Sequence, residues 1–226
     1  MHSSNPGPAK RSALWAALAA LLLAPLLAAA QDANLNRDLL QAARHGQEPT
    51  VRALLDQGAN SNSRNRLGDT PLNIAAKNDH TGLGMLLIER GTDVNLRNLS
   101  GVSPLMSAAF NGNLALARAL LARGADPAPV DRVKKTAALY AAANGHAEIL
   151  GLLLDAGVRV DARYDNELTA LMWAAAYGRD DAVRLLIARG ADVRARDNRG
   201  QTAADMAAGG GHPGTADLLR KASTGS

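Results

Sequence analysis

Few residues in this chain have the chemistry of a catalytic or metal site, and their spacing keeps them apart. His80, His146 and His212 are separated by two equal intervals. A metal ion needs ligands that converge on one point, and so even a spacing places each imidazole in a separate copy of a repeated unit. The segment Gly209-Gly210-Gly211-His212-Pro213-Gly214 fits Gly-x-Gly-x-x-Gly. It follows a helical pattern rather than a strand, and Pro213 removes an amide that a phosphate would use, so it reads as a turn. Asp180 and Asp181 are adjacent, and adjacent residues do not face one another on a helix. Their expected role is to favour a first helical turn through its dipole. No Gly-x-Ser-x-Gly, phosphate-binding loop or His-Glu-x-x-His pattern occurs. The expectation is a chain without catalytic residues, metal or cofactor.

The histidine interval is twice a shorter one. Ala-Ala recurs at Ala42-Ala43, Ala75-Ala76, Ala108-Ala109, Ala141-Ala142, Ala174-Ala175 and Ala207-Ala208, each pair the same distance along the chain from the last. Gly58, Gly91, Gly124, Gly157 and Gly190 keep the same phase, as do Thr70, Ser103, Thr136, Thr169 and Thr202. Stacked units of this kind build an extended surface rather than one deep pocket, which favours binding over catalysis.

One unit can be read from its chemistry. The hydroxyl of Thr70 can cap the free amides of a first helical turn, and Pro71 at the first helical position lacks only a donor that the helix does not use. Ala75 and Ala76 let neighbouring helices approach closely. After a polar turn ending in His80, the apolar run Leu83 to Leu87 supplies a second helix. Gly91 marks its exit, where the chain commonly needs the left-handed conformation. An extended, turn-forming stretch leads to the next cap.

Thr70-Pro71-Leu72 through His80, then Leu86-Leu87, Gly91 and Asp93-Val94-Asn95, resemble the ankyrin repeat. The known period of that family is about 33 residues, and the columns above keep it. The resemblance covers roughly residues 36 to 222, and the second to fifth copies match best. It implies an all-α fold, an ankyrin-repeat solenoid of about six helix-turn-helix units with short extended finger loops. The units are expected near 36–64, 65–97, 98–130, 131–163, 164–196 and 197–222, within one domain spanning 31–226. The family's histidine after Pro-Leu is replaced by Asn73, Met106, Leu139, Met172 and Asp205. That hydrogen-bonding column is therefore expected to be missing. Polar faces on the first and last units suit capping repeats, and the Gly209 to Gly211 run predicts a C-terminal cap that frays.

The resemblance also implies which positions the scaffold leaves free: the two residues after each Ala-Ala face a concave groove, and those before each cap form exposed finger tips. Lys77, Phe110, Asn111 and Tyr177 fall in the groove. Phe110 is the chain's only phenylalanine, and aromatic anchors are enriched at interfaces. Asn78, Asn111 and Asn144 also form a ladder whose simpler role is helix-end geometry. At the tips, Arg132, Lys134 and Lys135 lie next to a finger bearing Tyr164, Asp165 and Glu167. Opposite charges on adjacent fingers could pair with each other or steer a charged partner. The candidate partner-binding residues are thus Lys77, Phe110, Asn111, Arg132, Lys134, Lys135, Tyr164 and Tyr177. Met106, Tyr140, Met172 and Trp173 are assigned to packing.

The first thirty residues differ. Lys10 and Arg11 precede an uncharged run from Ser12 to Ala30 that ends Ala28-Ala29-Ala30, the pattern of a secretory signal cleaved near Gln31. The alternative is an uncleaved membrane anchor, because the run approaches the ~20 residues that span a bilayer. Cleavage would remove two basic residues and no acidic one, taking the net charge from +4 to +2. So balanced a chain, with no basic stripe evident, gives no reason to expect nucleic acid. With zero cysteine, stability must come from stacked apolar faces. The expectation is an exported, periplasmic, monomeric and non-enzymatic module that binds an unidentified protein. An immunity or inhibitor protein for an exported toxin or enzyme, or a membrane-anchored adaptor, are the alternatives.

Overall fold

The computed structural model describes residues 31–224. The proposed signal segment lies outside the described residues. Among these, twelve α-helices follow one another with no strand: α1 (31–44), α2 (Glu48–Asp56), α3 (Pro71–Lys77), α4 (Thr81–Glu89), α5 (Pro104–Asn111), α6 (Leu114–Ala122), α7 (Ala137–Asn144), α8 (Ala147–Asp155), α9 (Ala170–Ala176), α10 (Asp180–Ala188), α11 (Ala203–Gly209) and α12 (Pro213–Thr224). No described helix is long and apolar enough to cross a membrane.

Each unit starts as its caps dictate. Thr70, Ser103, Thr136, Thr169 and Thr202 take extended backbone, and their hydroxyls accept from the amides of Asn73, Met106, Leu139, Met172 and Asp205 at 3.2–3.3 Å. Pro71 and Pro104 open α3 and α5. Odd-numbered helices from α3 to α11 pack in one row, and even-numbered helices in a second row behind it. The front row can pack tightly because both alanines of the pairs in α3, α5, α7 and α9 are fully buried. Behind them Leu87, Leu120, Leu153, Leu186 and Leu219 form a continuous leucine column, none more than 1 % exposed. Truncating such a leucine to alanine costs about 2–5 kcal/mol.

One expectation needs correction. The hydrogen-bonding column is only partly missing: Asn73 Oδ1 accepts from the Thr70 amide and Asn73 Nδ2 donates to the Leu96 carbonyl, and Asp205 accepts from both the amide and hydroxyl of Thr202. Short polar side chains at this position reach back to the cap. The glycine run lies at the end of a helix and in the turn that follows. Gly209 ends α11, Gly210 caps it, and Gly211 adopts φ +79° in the turn, so the helix interior loses little. Gly210 is required by close approach, since a Cβ there would stand 2.6 Å from the Ala176 carbonyl oxygen. Beyond the turn, α12 runs to Thr224 with Ala216 and Leu219 buried.

Candidate functional site

The fingers lie at 64–69, 97–102, 130–135, 163–168 and 196–201. Four of the five are closed by one side chain. Asn65, Asn98, Asp131 and Asp197 each accept two amides of their own finger, two and four residues on, at 2.8–3.0 Å. The fourth finger has Tyr164 at this place and no such acceptor. It turns instead through a short 3-10 segment, Asp165–Glu167, with Asn166 and Glu167 both at φ +61°. Adjacent fingers are joined by the main chain: Leu99 N donates to Leu67 O, Arg132 N to Ser100 O and Asn198 N to Asn166 O, at 2.9–3.0 Å. Among the described residues no such bond joins the third finger to the fourth.

The side chains of the third finger bond inward. Asp131 is 5 % exposed and, besides its two amides, accepts the hydroxyl of Tyr140 on α7 at 2.5 Å. Burial, then the bond to Asp131 and its charge, push the Tyr140 phenol far above its ordinary range, so it is a neutral donor at any physiological pH. Lys135 spans to the next unit: its Nζ lies 5.6 Å from the Tyr140 ring centroid and 4.6 Å from that of Trp173 on α9. Such cation–π contacts contribute about 0.5–1 kcal/mol each at exposed sites.

These contacts join four rings along the front row. Phe110 meets Tyr140 edge to face at 5.6 Å, and Trp173 stacks on Tyr177 at 6.0 Å. Phe110 and Tyr177 remain 53 % and 48 % exposed, while Tyr140 and Trp173 are half-buried. On either side of the Tyr140–Lys135–Trp173 ridge the groove deepens. One trough of about 440 Å³ lies between α3, α5 and the second finger, bordered by Lys77, Val102, Phe110 and Tyr140. The other, of about 430 Å³, is bordered by Trp173, Tyr177, Arg199 and Met206.

The predicted site residues divide accordingly. Lys77, Phe110, Arg132, Lys134 and Tyr177 are exposed. Asn111 borders the first trough, but its amide donates to the Ala76 and Lys77 carbonyls at the end of α3. Tyr164 is half-buried against the core. Lys135 is committed to the two rings. Opposite charges on the third and fourth fingers do not pair: Glu167 pairs with Arg163 of its own finger at 3.4 Å. Met106 and Met172 are buried as expected, whereas Tyr140 and Trp173 reach the groove. Their spacing of one period already places them side by side, and Trp173 and Tyr177 are four apart on one helix face.

His80 and His146 serve the stack. His80 Nε2 lies 3.2 Å from the Arg44 carbonyl oxygen and His146 Nε2 lies 3.1 Å from that of Phe110, so His80 donates to the end of α1 and His146 to the end of α5. No cluster of metal-binding side chains occurs among the described residues.

A family model for ankyrin repeats, in three copies, matches residues 39–131 and 138–225. This chain belongs to the ankyrin-repeat family. Among curated proteins it is similar to the transient receptor potential cation channel subfamily A member 1 homolog of Caenorhabditis elegans, with 50 % identity over 58 residues. Those residues are 26 % of this chain and 5 % of the channel, so the chain spans a small part of that relative. Ankyrin repeats are a scaffold for protein–protein interaction, and a front row carrying four linked rings is consistent with that use.

Proposed function

We propose that this chain binds another protein through the groove between its fingers and front-row helices, and that it catalyses no reaction. The reading rests on Phe110 and Tyr177, two large rings left about half exposed in columns that elsewhere hold polar or small residues: Arg44, Lys77, Ala143, Ala176 and Gly209 for Phe110, and His45, Asn78, Asn111, Asn144 and Gly210 for Tyr177. Rings held this way have little conformational freedom left to lose on binding, which is why they serve as anchors. Support for work outside the cytoplasm, in a periplasm, lies in the sequence: Lys10, Arg11, the apolar run and Ala28-Ala29-Ala30. Sequencing the exported product should give an N-terminus near Gln31. An intact Met1 on membrane-bound material would favour the anchored alternative.

The binding reading is tested by affinity capture from the exported fraction with the unmodified protein and with Phe110→Ala and Tyr177→Ala. A partner retained by the first and lost by at least one variant, with both variants folded, supports the groove. Truncating an anchor should weaken binding by about 2 kcal/mol or more, roughly thirtyfold. Unchanged affinity in both variants would refute the assignment.

A further inference from the structure

The charges around the groove are not balanced at its solvent-facing edge. The carboxylates at the base of the fingers are buried and occupied: Asp69, Asp131 and Asp197 are 3 %, 5 % and 6 % exposed. Asp69 accepts from Asn65 Nδ2 and Asn98 Nδ2, Asp131 from two amides and Tyr140, and Asp197 from two amides and Arg199. Their hydrogen-bonding capacity is spent in shaping the fingers. The cations of the same side stand in solvent. Arg66, Lys77, Arg132 and Lys134 are exposed, and none is among the ion pairs formed by the described residues. Among the described finger residues, exposed carboxylates appear only on the fourth finger, at Asp165 and Glu167, where Arg163 already pairs with Glu167. On the helix side of the second trough Asp205 is exposed too, but the amide and hydroxyl of Thr202 hold it.

The groove is thus polar along its length. Over the first three fingers it carries unpaired positive charge beside the trough of about 440 Å³ walled by Phe110 and Tyr140, and it turns acidic at the fourth. Resting on the groove reading above, we propose that its occupant is an extended acidic segment of another protein, with an apolar side chain in the Phe110–Tyr140 trough and carboxylates against Arg66, Lys77, Arg132 and Lys134. A trough bounded by fingers on one side and helices on the other suits an extended chain, because one side chain can enter while its neighbours reach both rims. Like charges facing each other would disfavour a basic segment along the first three fingers. Docking across the fourth finger would favour the opposite charge, and that difference fixes the direction of the test.

The probe is a displayed library of randomised peptides of about twelve residues, selected on the full chain and followed by fluorescence anisotropy of the enriched sequences. Enrichment of sequences that combine several Asp or Glu with one large apolar residue is expected. Their affinity should fall about tenfold or more in the double variant Arg66→Glu, Arg132→Glu and in Phe110→Ala. It should fall as ionic strength rises, since the cations are exposed, and stay unchanged or rise slightly in Glu167→Gln. Melting curves confirm that each variant is folded. Enrichment of neutral or basic peptides that still depend on Phe110 would overturn the acidic partner and leave the groove reading standing. Acidic peptides indifferent to both Phe110 and the arginines would overturn both. No enrichment at all overturns the extended-segment proposal, while a partner captured through Phe110 would still uphold the groove.

Discussion

Replacing Lys134 by glycine should stabilise this protein. Lys134 occupies the column of Gly68, Gly101 and Gly200, and like them it has positive φ, +61° against +77° to +79° for the glycines. A side chain in the left-handed region costs about 1–2 kcal/mol. Glycine returns part of that advantage, about 0.5–1 kcal/mol, through the freedom it loses on folding. The net expectation is about 0.5–1 kcal/mol, or roughly 2 °C in melting temperature for a domain of this size. The structure adds a second consequence. A Cβ at Gly68 would stand 2.9 Å from the Leu99 amide nitrogen, and one at Gly101 would stand 3.1 Å from Asp131 Cα, so at these two tips glycine lets the next finger come close. Lys134 carries that Cβ, and beside it the main-chain bond between fingers is absent among the described residues. Beside Glu167, the other side chain in this column, the bond from Asn198 N to Asn166 O does form, at a tip reshaped by the 3-10 segment Asp165–Glu167. If the Lys134 Cβ acts as a wedge, Lys134→Gly should also slow hydrogen exchange at the Asp165 amide, which corresponds to Leu99 and Arg132. Lys134→Ala is the control, since it removes the charge and keeps the strain. An unchanged or lowered melting temperature in Lys134→Gly, or an equal rise in Lys134→Ala, would refute the strain argument. A higher melting temperature with no change at Asp165 would refute the wedge.

Three further outcomes follow from the same contacts. Asn62, Asn95 and Asp161 each accept the amide of Asp93, Asp126 or Asp192 in the next unit, whereas Ala128 has no acceptor, so Ala128→Asn should add about 0.5–1.5 kcal/mol in chemical denaturation; no gain would mean that Arg159 N is already satisfied. Tyr140→Phe removes the hydroxyl bonded to buried Asp131 and should cost about 1–3 kcal/mol, with increased exchange at the Val133 and Lys135 amides; a neutral effect would show that the two amides alone hold Asp131. The amide and hydroxyl of Thr202 hold the Asp205 carboxyl below its ordinary value, so its stabilisation is complete above the unfolded value of about 3.9 and is lost as pH falls through the lower folded value. Asp205→Asn should weaken the pH dependence of melting below about pH 4, and an identical acid profile would refute the linkage.

The fold was legible because it depends on columns that repeat. Capping hydroxyls, paired alanines, leaving glycines and leucines each recur once per unit at one spacing, and each has one local physical cause, so a single unit read correctly accounts for the others. The candidate groove was legible in half. Phe110 and Tyr177 could be found because their columns have no core duty, and the structure leaves both exposed. Tyr140 and Trp173 fall at or beside core columns of the first helix, which is what points to packing, and in the structure Ile74 and Ser107 of the same column are buried. Column membership predicts where a Cβ points and not how far its side chain extends. A serine ends inside the stack at this position, whereas a phenol or indole does not fit there and reaches the groove. Asn111 was ambiguous for the converse reason: an exposed position in the family register can still turn its amide back to a helix end.

The departures from the repeat are concentrated, and that concentration links the fold to the groove. Ala128 omits the inter-unit acceptor, Val130 stands where Arg64 and Arg163 bridge to the Arg97 and Arg196 carbonyls, Lys134 takes a glycine position, and Tyr164 replaces the finger-closing side chain. All four lie on the third finger, its approach or the fourth finger. Each removes a bond or adds strain in the finger layer, while the front-row helices α7 and α9 remain packed, and Arg179 Nε still donates to the Ala143 carbonyl at 2.9 Å. The helices therefore carry the continuity of the stack where the fingers do not. At this same place Lys135 crosses from the third finger to Trp173, and Asp131 bolts the finger to α7 through Tyr140. An inter-finger ladder has been exchanged for contacts between finger and groove. A ligand seated against Tyr140 and Trp173 would act on the position of the third finger directly, because the side chains that form the groove wall are the ones that hold that finger in place.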